Sequence, residues 1–335
     1  MNMTRRKPAC AGVLIAPLGA LVWAVLGAAQ AFPAQGAFTA APPRIMIVAG
    51  PLEIHRTVAE QIAAELRRRP VTPELAHLPP PDHREELDAL VRSIAQDPPA
   101  VILTVGDQAT EWACVRVRGV PIVFTLVANA LDESYVRVES RTEGVAAGGI
   151  AADLAPRTLL EEVRACLPSL RRAALLHSSS SLRTAESIRE AGKALDIDVV
   201  LVPAEQKRFL DALTQLENTA PDAVLMIPDP QVYDGAAIRS LLTWGARRST
   251  PIWGFSANVV KAGAYAGAFF DDRRIAAQTA DLVLRMLDPN AGPLSPLDYA
   301  ACVRRAVNLH TSGIVGKRVT DAFLSGDVLK YGDEP

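Results

Sequence analysis

Reactive and metal-binding side chains are sparse in this 335-residue sequence. It has four cysteines and five histidines, and none of them recur at the short spacings of a zinc site or a disulfide framework. Three catalytic signatures are also missing: the Gly-x-Ser-x-Gly nucleophile elbow, the GxxxxGK[ST] phosphate loop and His-Glu-x-x-His. We therefore expect a protein without catalytic activity, metal or other cofactor.

An excess of charge of one sign is missing as well. The sequence has 35 basic and 37 acidic residues, for a formal net charge of −2. Such a balance provides no broad attraction to nucleic acid or to anionic lipid. Local basic runs such as Arg67-Arg68-Arg69 fall where a helix is expected to end, and a solvated structural role explains them. No nucleic-acid partner is expected.

The amino terminus contains the one long uncharged run. Arg5 to Lys7 precede an apolar segment, residues 11–29, which ends in Ala29-Gln30-Ala31. A basic start, an apolar stretch and a small-x-small end are typical of a secretory signal. We expect residues 1–31 to be cleaved after Ala31, which leaves a mature protein in the periplasm. A retained anchor is the alternative, because the segment approaches the roughly 20 residues of a membrane span.

Removal of that segment would take Cys10 with it and leave three cysteines. Cys114, Cys166 and Cys302 are far apart in the sequence. At most one disulfide can form among them, and which pair would form it stays open. A buried thiol within a helix is the commoner explanation for the first two.

From Arg44 onward, short apolar runs alternate with amphipathic segments, a pattern typical of an α/β fold. Val101 to Val105 is a continuous apolar run, as expected for a parallel strand covered on both faces. His83 to Gln96 shows the 3.6-residue period of a helix that packs on a sheet. Asp153-Leu154-Ala155-Pro156 predicts a helix start with Asp153 as the cap. The other predicted strands are residues 44–49, 74–78, 122–126, 144–148, 173–177, 198–202, 223–227, 252–255, 264–269 and a last one near 303–309.

The series of units predicts two Rossmann-like lobes with parallel sheets flanked by helices and joined by a multi-strand hinge. The sequence near the end predicts one more strand and helix than the second lobe needs. The chain is therefore expected to return to the first lobe and then to end in the second. The expected ranges are 44–147 plus about 264–290 for the first lobe, and 148–263 plus about 300–325 for the second. A cleft should separate two lobes connected in this way.

Polar turns follow several of the predicted strands. After Gly106, a helix opening at Gln108, Ala109 and Thr110 would direct its free N–H groups outward and form a small anion site. An ordinary capped turn is the alternative. Because the carboxyl ends of parallel strands face the crevice, six loops are expected to converge there: 50–53, 106–110, 128–129, 178–181, 229–231 and 256–258.

Eight short strings in order carry a resemblance to a known family: IMIVAG, VILTVGDQAT, VPIVFTLVANA, GVAAG, AALLHSSSS, AVLMIPDPQV, TPIWGFSANVVKAGAYAG and AVNLHTSGIVG. Together, from Arg44 to about Val319, they resemble the exported substrate-binding proteins of ABC transporters of the tryptophan and tyrosine type. The resemblance implies a type I periplasmic binding protein fold. It also implies a monomer that captures a small polar molecule, an amino acid or similar carboxylate, and delivers it to an ABC permease. A sensory protein that presents its ligand to a membrane receptor or histidine kinase is the alternative.

The loops and the resemblance together select the candidate ligand-binding residues. They are Glu53, Gln108, Ala109, Thr110, Asn129, Ser178, Ser179, Ser180, Asp229, Ser256 and Asn258. Asp229 matches a position where amino-acid-binding relatives place an aspartate that pairs with an ammonium group. Ser256 stands where such relatives commonly have another aspartate, so one expected carboxylate is missing. Asp229→Ala and Thr110→Ala are expected to weaken binding with little effect on the melting temperature.

Overall fold

Continuous apolar runs form the central strands of two sheets in the structure, a computed structural model that describes residues 41–136, 148–292 and 295–332. Strands β3 and β4 are buried at every residue, as expected where helices cover both faces of a parallel sheet. The predicted signal peptide, residues 1–31, lies outside the described residues. Both sheets belong to one contact unit, Pro42–Pro335.

The first sheet has five parallel strands in the order β2-β1-β3-β4-β5. Its elements are β1 (Arg44–Ala49), α1 (Glu53–Leu66), β2 (Thr72–His77), α2 (Arg84–Gln96), β3 (Val101–Val105), α3 (Asp107–Arg116), β4 (Ile122–Val127) and β5 (Gly148–Ala151). We call this sheet and the helices packed on it the first lobe.

The second sheet has seven strands in the order β12-β11-β10-β9-β8-β6-β7, and the pair β10 and β11 is antiparallel. Its strands are β6 (Arg172–His177), β7 (Asp198–Pro203), β8 (Ala223–Leu225), β9 (Ile252–Gly254), β10 (Ala266–Phe270), β11 (Val303–Asn308) and β12 (Val328–Tyr331). The remaining helices are α4 (Pro156–Cys166), α5 (Leu182–Lys193), α6 (Phe209–Thr219), α7 (Gly235–Arg248), α8 (Ala257–Lys261), α9 (Asp272–Leu287), α10 (Leu309–Val315) and α11 (Asp321–Leu324). The second sheet and its helices form the second lobe, whereas α9 packs on the first.

The lobe boundaries differ from those expected at two places. Strand β5 begins at Gly148 and pairs with β4, so the first lobe extends to Ala151; most of the strand predicted at 144–148 lies outside the described residues. Residues 264–290 are divided between the lobes. Strand β10 pairs with β9, because Gly267 lacks the Cβ that would collide with the carbonyl oxygen of Gly254. Helix α9 instead places Ile275 in the core of the first lobe.

The chain crosses between the lobes after β5, between β10 and α9, and before β11. Backbone hydrogen bonds join these crossings. Ala151 N donates to Asp298 O (2.9 Å), Asp298 N donates to Gly149 O (2.7 Å), and Asp271 N donates to Cys302 O (3.3 Å). The crossings therefore lie side by side as one hinge. In the part of the chain that the structure describes, no helix combines the length and the apolar character needed to cross a bilayer.

Candidate functional site

A pocket lies between the lobes, where the crossings meet the ends of strands from both sheets. The space between the surrounding atoms, including the solvent at the open mouth, is about 570 Å³. The first lobe contributes Leu131 from the loop after β4. The second contributes Pro228 and Phe255 from the loops after β8 and β9, and the crossings contribute Asp153 and Tyr299. Most of the lining is apolar or aromatic.

Asp153 is the one charged side chain among the described residues that line this pocket. Its Oδ2 accepts a hydrogen bond from Asn129 N (2.6 Å), and the backbone N–H of Ala130 also bonds to the carboxylate. Its Oδ1 is buried and has no hydrogen-bond partner. Burial raises the pKa of Asp153 to about 7; the two backbone hydrogen bonds oppose this shift, and the nearby Asp132 adds to it. Asp153 thus lines the pocket and has one buried carboxyl oxygen without a partner.

The predicted role of Asp153 as a helix cap is wrong. Helix α4 begins after Ala155, which makes no side-chain capping bond, and the proline at its start removes one N–H that a cap would have satisfied. Asp153 turns instead toward the loop after β4. Asp153 lies two residues after the end of β5 at Ala151, and this place near a strand end is the sequence signal that could have indicated a site role.

Asn129 is the predicted site residue nearest to this carboxyl. It adopts a left-handed backbone conformation (φ 49°), which asparagine tolerates better than most residues. That conformation lets its backbone N–H bond to Asp153 while its Nδ2 donates to Pro228 O in the second lobe. Its Oδ1 is buried without a partner. Asn129 therefore links the two lobes at the edge of the pocket.

Asp229 and the predicted serine run come together, but they satisfy one another. Asp229 Oδ2 accepts from Ser178 N (3.0 Å), Ser178 Oγ (2.8 Å) and Ser181 Oγ (2.5 Å). Its Oδ1 accepts from Gln231 N (2.9 Å) and, at 3.4 Å, from Ser180 Oγ. Asp229 is 3% exposed. The carboxylate holds the loops after β6 and β8 together, and this geometry does not support the expected pairing with a ligand's ammonium group. Ser179, between its neighbours in this run, is exposed.

Two of the three predicted ligand-binding residues in the turn that opens α3 have structural roles. Thr110 is buried, and its Oγ1 donates to Gly106 O (2.8 Å) and bonds to Thr104 Oγ1 (2.9 Å). Ala109 is buried in the core of the first lobe. Gln108 is exposed on the first turn of α3, and Glu53 is exposed on the first turn of α1.

His55 packs into the angle between two turns of the first lobe. A Cβ on either Gly50 or Gly106 would collide with its ring. Its Nδ1 is buried without a partner, and burial lowers the pKa of His55 while Asp107 opposes that shift. This contact explains why both turns need glycine.

Ser256 and Asn258 begin α8 in the second lobe. Ser256 Oγ accepts from Val259 N (3.3 Å) and caps the helix, and Asn258 is exposed. Neither lines the interlobe pocket, whereas the preceding Phe255 does. The serine therefore serves as a helix cap at the position where an aspartate was expected.

A second contact between the lobes involves Asp132. Its Oδ1 accepts from Arg183 N (2.8 Å), and its Oδ2 accepts from Thr184 N (3.0 Å) and Thr184 Oγ1 (2.8 Å). A side chain of the first lobe thus caps helix α5 of the second, where free N–H groups and the helix dipole favour an anion. This anion site is occupied by the protein's own carboxylate.

The described residues contain no group of three or more His, Cys, Asp or Glu side chains arranged to hold a metal ion. Cys114, Cys166 and Cys302 are unpaired in the structure. Burial raises the pKa of the Cys114 thiol to about 11.

Two α/β lobes joined by three crossings around a pocket define a type I periplasmic binding protein fold. Residues 82–311 match the family described as ABC transporter substrate binding protein. The chain belongs to this family, and the resemblance of its eight strings is confirmed. The members of the family are substrate-binding proteins, and the family and the fold support a solute-binding role.

Solved structures of the same fold cover most of this chain. A domain in complex with L-Trp from Streptococcus pneumoniae shares 11% identity at a TM-score of 0.59 and covers 85% of this chain and 100% of its own. A ligand-free, open substrate-binding protein with adhesive properties from Clostridium difficile shares 12% identity at a TM-score of 0.65 and covers 87% of this chain and 100% of its own. A periplasmic ribose ABC transporter protein from Conexibacter woesei shares 15% identity at a TM-score of 0.52, with coverage of 82% and 94%. Such identities show the fold alone.

One curated relative matches over a shorter stretch. A bifunctional uridylyltransferase/uridylyl-removing enzyme from Streptomyces coelicolor is 37% identical over 115 residues. The match spans 34% of this chain but only 13% of that protein. A match of this extent assigns no activity to the chain.

Proposed function

We propose that this protein is an exported solute-binding protein that captures a small molecule in the interlobe pocket and delivers it to an ABC permease. The observation that carries the proposal is the pocket itself, which is lined by side chains from both lobes and the hinge, among them Asp153 with its unpartnered Oδ1. Membership of the family over residues 82–311 supports the same role. The basic and apolar amino-terminal sequence supports export to the periplasm.

The contacts between the lobes suggest how the ligand would act. Asn129 bonds to Pro228, and Asp132 bonds to Arg183 and Thr184, only while the lobes stay together. A ligand that touches both walls binds the closed form better than the open form, and this difference shifts the population toward closure. The permease would then recognise the closed protein. A sensory receptor could recognise the same closed form.

We also propose that the protein acts as a monomer. An amino acid or similar carboxylate was expected at a helix N-terminus, but at α5 that position is already filled by Asp132. A monomer suffices for this role, because one chain supplies both walls of the pocket.

A thermal-shift screen tests the proposal. The protein, purified in the form that cells export, is mixed with amino acids, other carboxylates, sugars, purines and amines. We expect one class to raise the melting temperature. Leu131→Arg places a long charged side chain in the pocket and should abolish this response, whereas Leu210→Arg, at a site 74% exposed and outside the pocket lining, should preserve it. A screen without any shift, or a shift that survives Leu131→Arg, would contradict the proposal.

A further inference from the structure

We propose that the interlobe pocket selects a ligand with a positively charged amine, which donates to Asp153 Oδ1, and with an apolar body. The same pocket should reject compounds whose charged group is a carboxylate. This inference rests on the proposed function, because it names the class of solute that the binding protein takes.

The unused oxygen of Asp153 is unusual among the carboxylates of this region. Asp229 and Asp132 have both of their oxygens bonded to N–H or O–H groups of the protein. Asp153 uses only Oδ2 to hold the loop after β4, and Oδ1 stays buried without a partner. Buried acceptors are normally hydrogen-bonded. One oxygen of Asp153 therefore has a structural role, and the other is available to accept a hydrogen bond from a ligand.

The charge of the pocket lining favours a cationic donor on the ligand over a neutral donor. No Lys, Arg or His lies among the described residues that line it, so an ionised Asp153 has no cationic partner there. An ammonium group forms a charge-assisted hydrogen bond with a carboxylate, which is stronger than a bond between neutral groups. A carboxylate ligand would instead face a like charge without any cation to offset it. The nearby N-terminus of α5 could not help, because Asp132 already caps it.

The rest of the lining favours an apolar, aromatic body. Leu131, Leu154, Phe255 and Phe269 contribute hydrocarbon surface, and aromatic faces also attract cations. Trp253 lines the same pocket, and its Nε1 is buried without a partner. A neutral oxygen on the ligand would satisfy that indole N–H. An aryl-alkyl amine combines the cationic group with the aromatic body, and an additional hydroxyl or carbonyl oxygen would serve the indole N–H.

Three compounds with the same phenylethyl body test the charge requirement: phenethylamine (cation), 2-phenylethanol (neutral) and 3-phenylpropionate (anion). Calorimetric titration at about pH 8 keeps Asp153 ionised, because this is above its raised pKa. We expect phenethylamine to bind most tightly and 3-phenylpropionate least. Asp153→Asn keeps an oxygen for the loop but offers an NH₂ group to the ligand, so it should weaken phenethylamine binding at least about tenfold.

Asp298→Asn is the matched control, because Asp298 lies in the hinge beside β5 and outside the pocket lining. It should leave phenethylamine affinity within about twofold of the unsubstituted protein. If Asp153→Asn fails to fold, the order of affinities of the three compounds for the unsubstituted protein still tests the charge requirement.

Several results would overturn the inference while leaving the solute-binding role intact. One is equal or tighter binding of 3-phenylpropionate, and another is unchanged phenethylamine affinity in a folded Asp153→Asn protein. A third is a wider screen that identifies a solute without an amine, whereas an amine found by that screen supports the inference. If no solute of any class binds, the proposed function itself fails.

Discussion

Replacement of Asp229 by alanine should destabilise the protein strongly. Its carboxylate accepts hydrogen bonds from the backbone N–H groups of Ser178, Gln231 and Val232 and from three serine hydroxyls. After the substitution, some of these donors find other partners: Ser178 N can bond to Ser181 Oγ, and Val232 N to Asp229 O. Gln231 N has no other protein acceptor among the hydrogen bonds of the described chain.

The cost follows from these contacts. Hydrogen bonds to a charged acceptor contribute about 1.5–3 kcal/mol each, and an unsatisfied buried donor costs about 1–3 kcal/mol. Because several donors have substitutes, we expect a loss of about 3–4 kcal/mol in the free energy of unfolding rather than the sum over all bonds. For a chain of this size, about 2 °C per kcal/mol predicts a melting temperature about 6–8 °C lower.

Thermal unfolding followed by circular dichroism measures this effect, and Asp234→Ala is the control. Asp234 is also an aspartate that accepts from two backbone N–H groups, those of Ala236 and Ala237, but it caps the exposed start of α7. Loss of such a cap costs about 1 kcal/mol. Equal shifts for the two variants, or a melting temperature unchanged by Asp229→Ala, would refute the network and restore the ligand-contact role that the sequence suggested.

Four further predictions concern the pocket and its surroundings. Affinity for phenethylamine should fall as the pH drops below about 7, because only the ionised form of Asp153 attracts the amine, and Asp153→Asn should flatten this profile in calorimetric titrations. The raised pKa also means that the contribution of Asp153 to the stability of the ligand-free protein declines as the pH rises from about 4 toward 7; Asp153→Asn should remove this decline from melting curves. Asp132→Ala removes the cap between the lobes, so small-angle scattering should show a larger radius of gyration; an unchanged radius would mean that other contacts hold the lobes closed. Gly106→Ala should cost more stability in urea unfolding than Gly119→Ala, because both glycines have positive φ but only Gly106 faces a side chain, His55; equal costs would contradict that packing.

Much of the fold could be predicted because strands and helices leave local patterns of apolar and polar residues in the sequence. The α/β class is confirmed, and α7 spans the predicted residues 235–248. Strand β12 was not predicted, because Val328–Tyr331 is short and half-exposed and becomes a strand only by pairing with β11. The lobe boundaries depend on strand pairing in the same way, since β10 continues the second sheet while the helix after it returns to the first lobe.

The sequence alone determined the type of most elements and the loops that follow the strands, because periodicity expresses these properties directly, and the resemblance of its ordered short strings indicated the family. It also indicated that Asp229 and the serines would meet, since the carboxyl ends of parallel strands share one edge. Only the tertiary structure decided which polar groups satisfy one another. Asp229 has hydrogen bonds from its neighbours to both oxygens, Asp132 caps a helix of the opposite lobe, and Asp153, which lines the pocket, keeps one oxygen without a partner. Hydrogen-bond satisfaction depends on groups that the fold brings together from distant parts of the chain, and no local pattern encodes it.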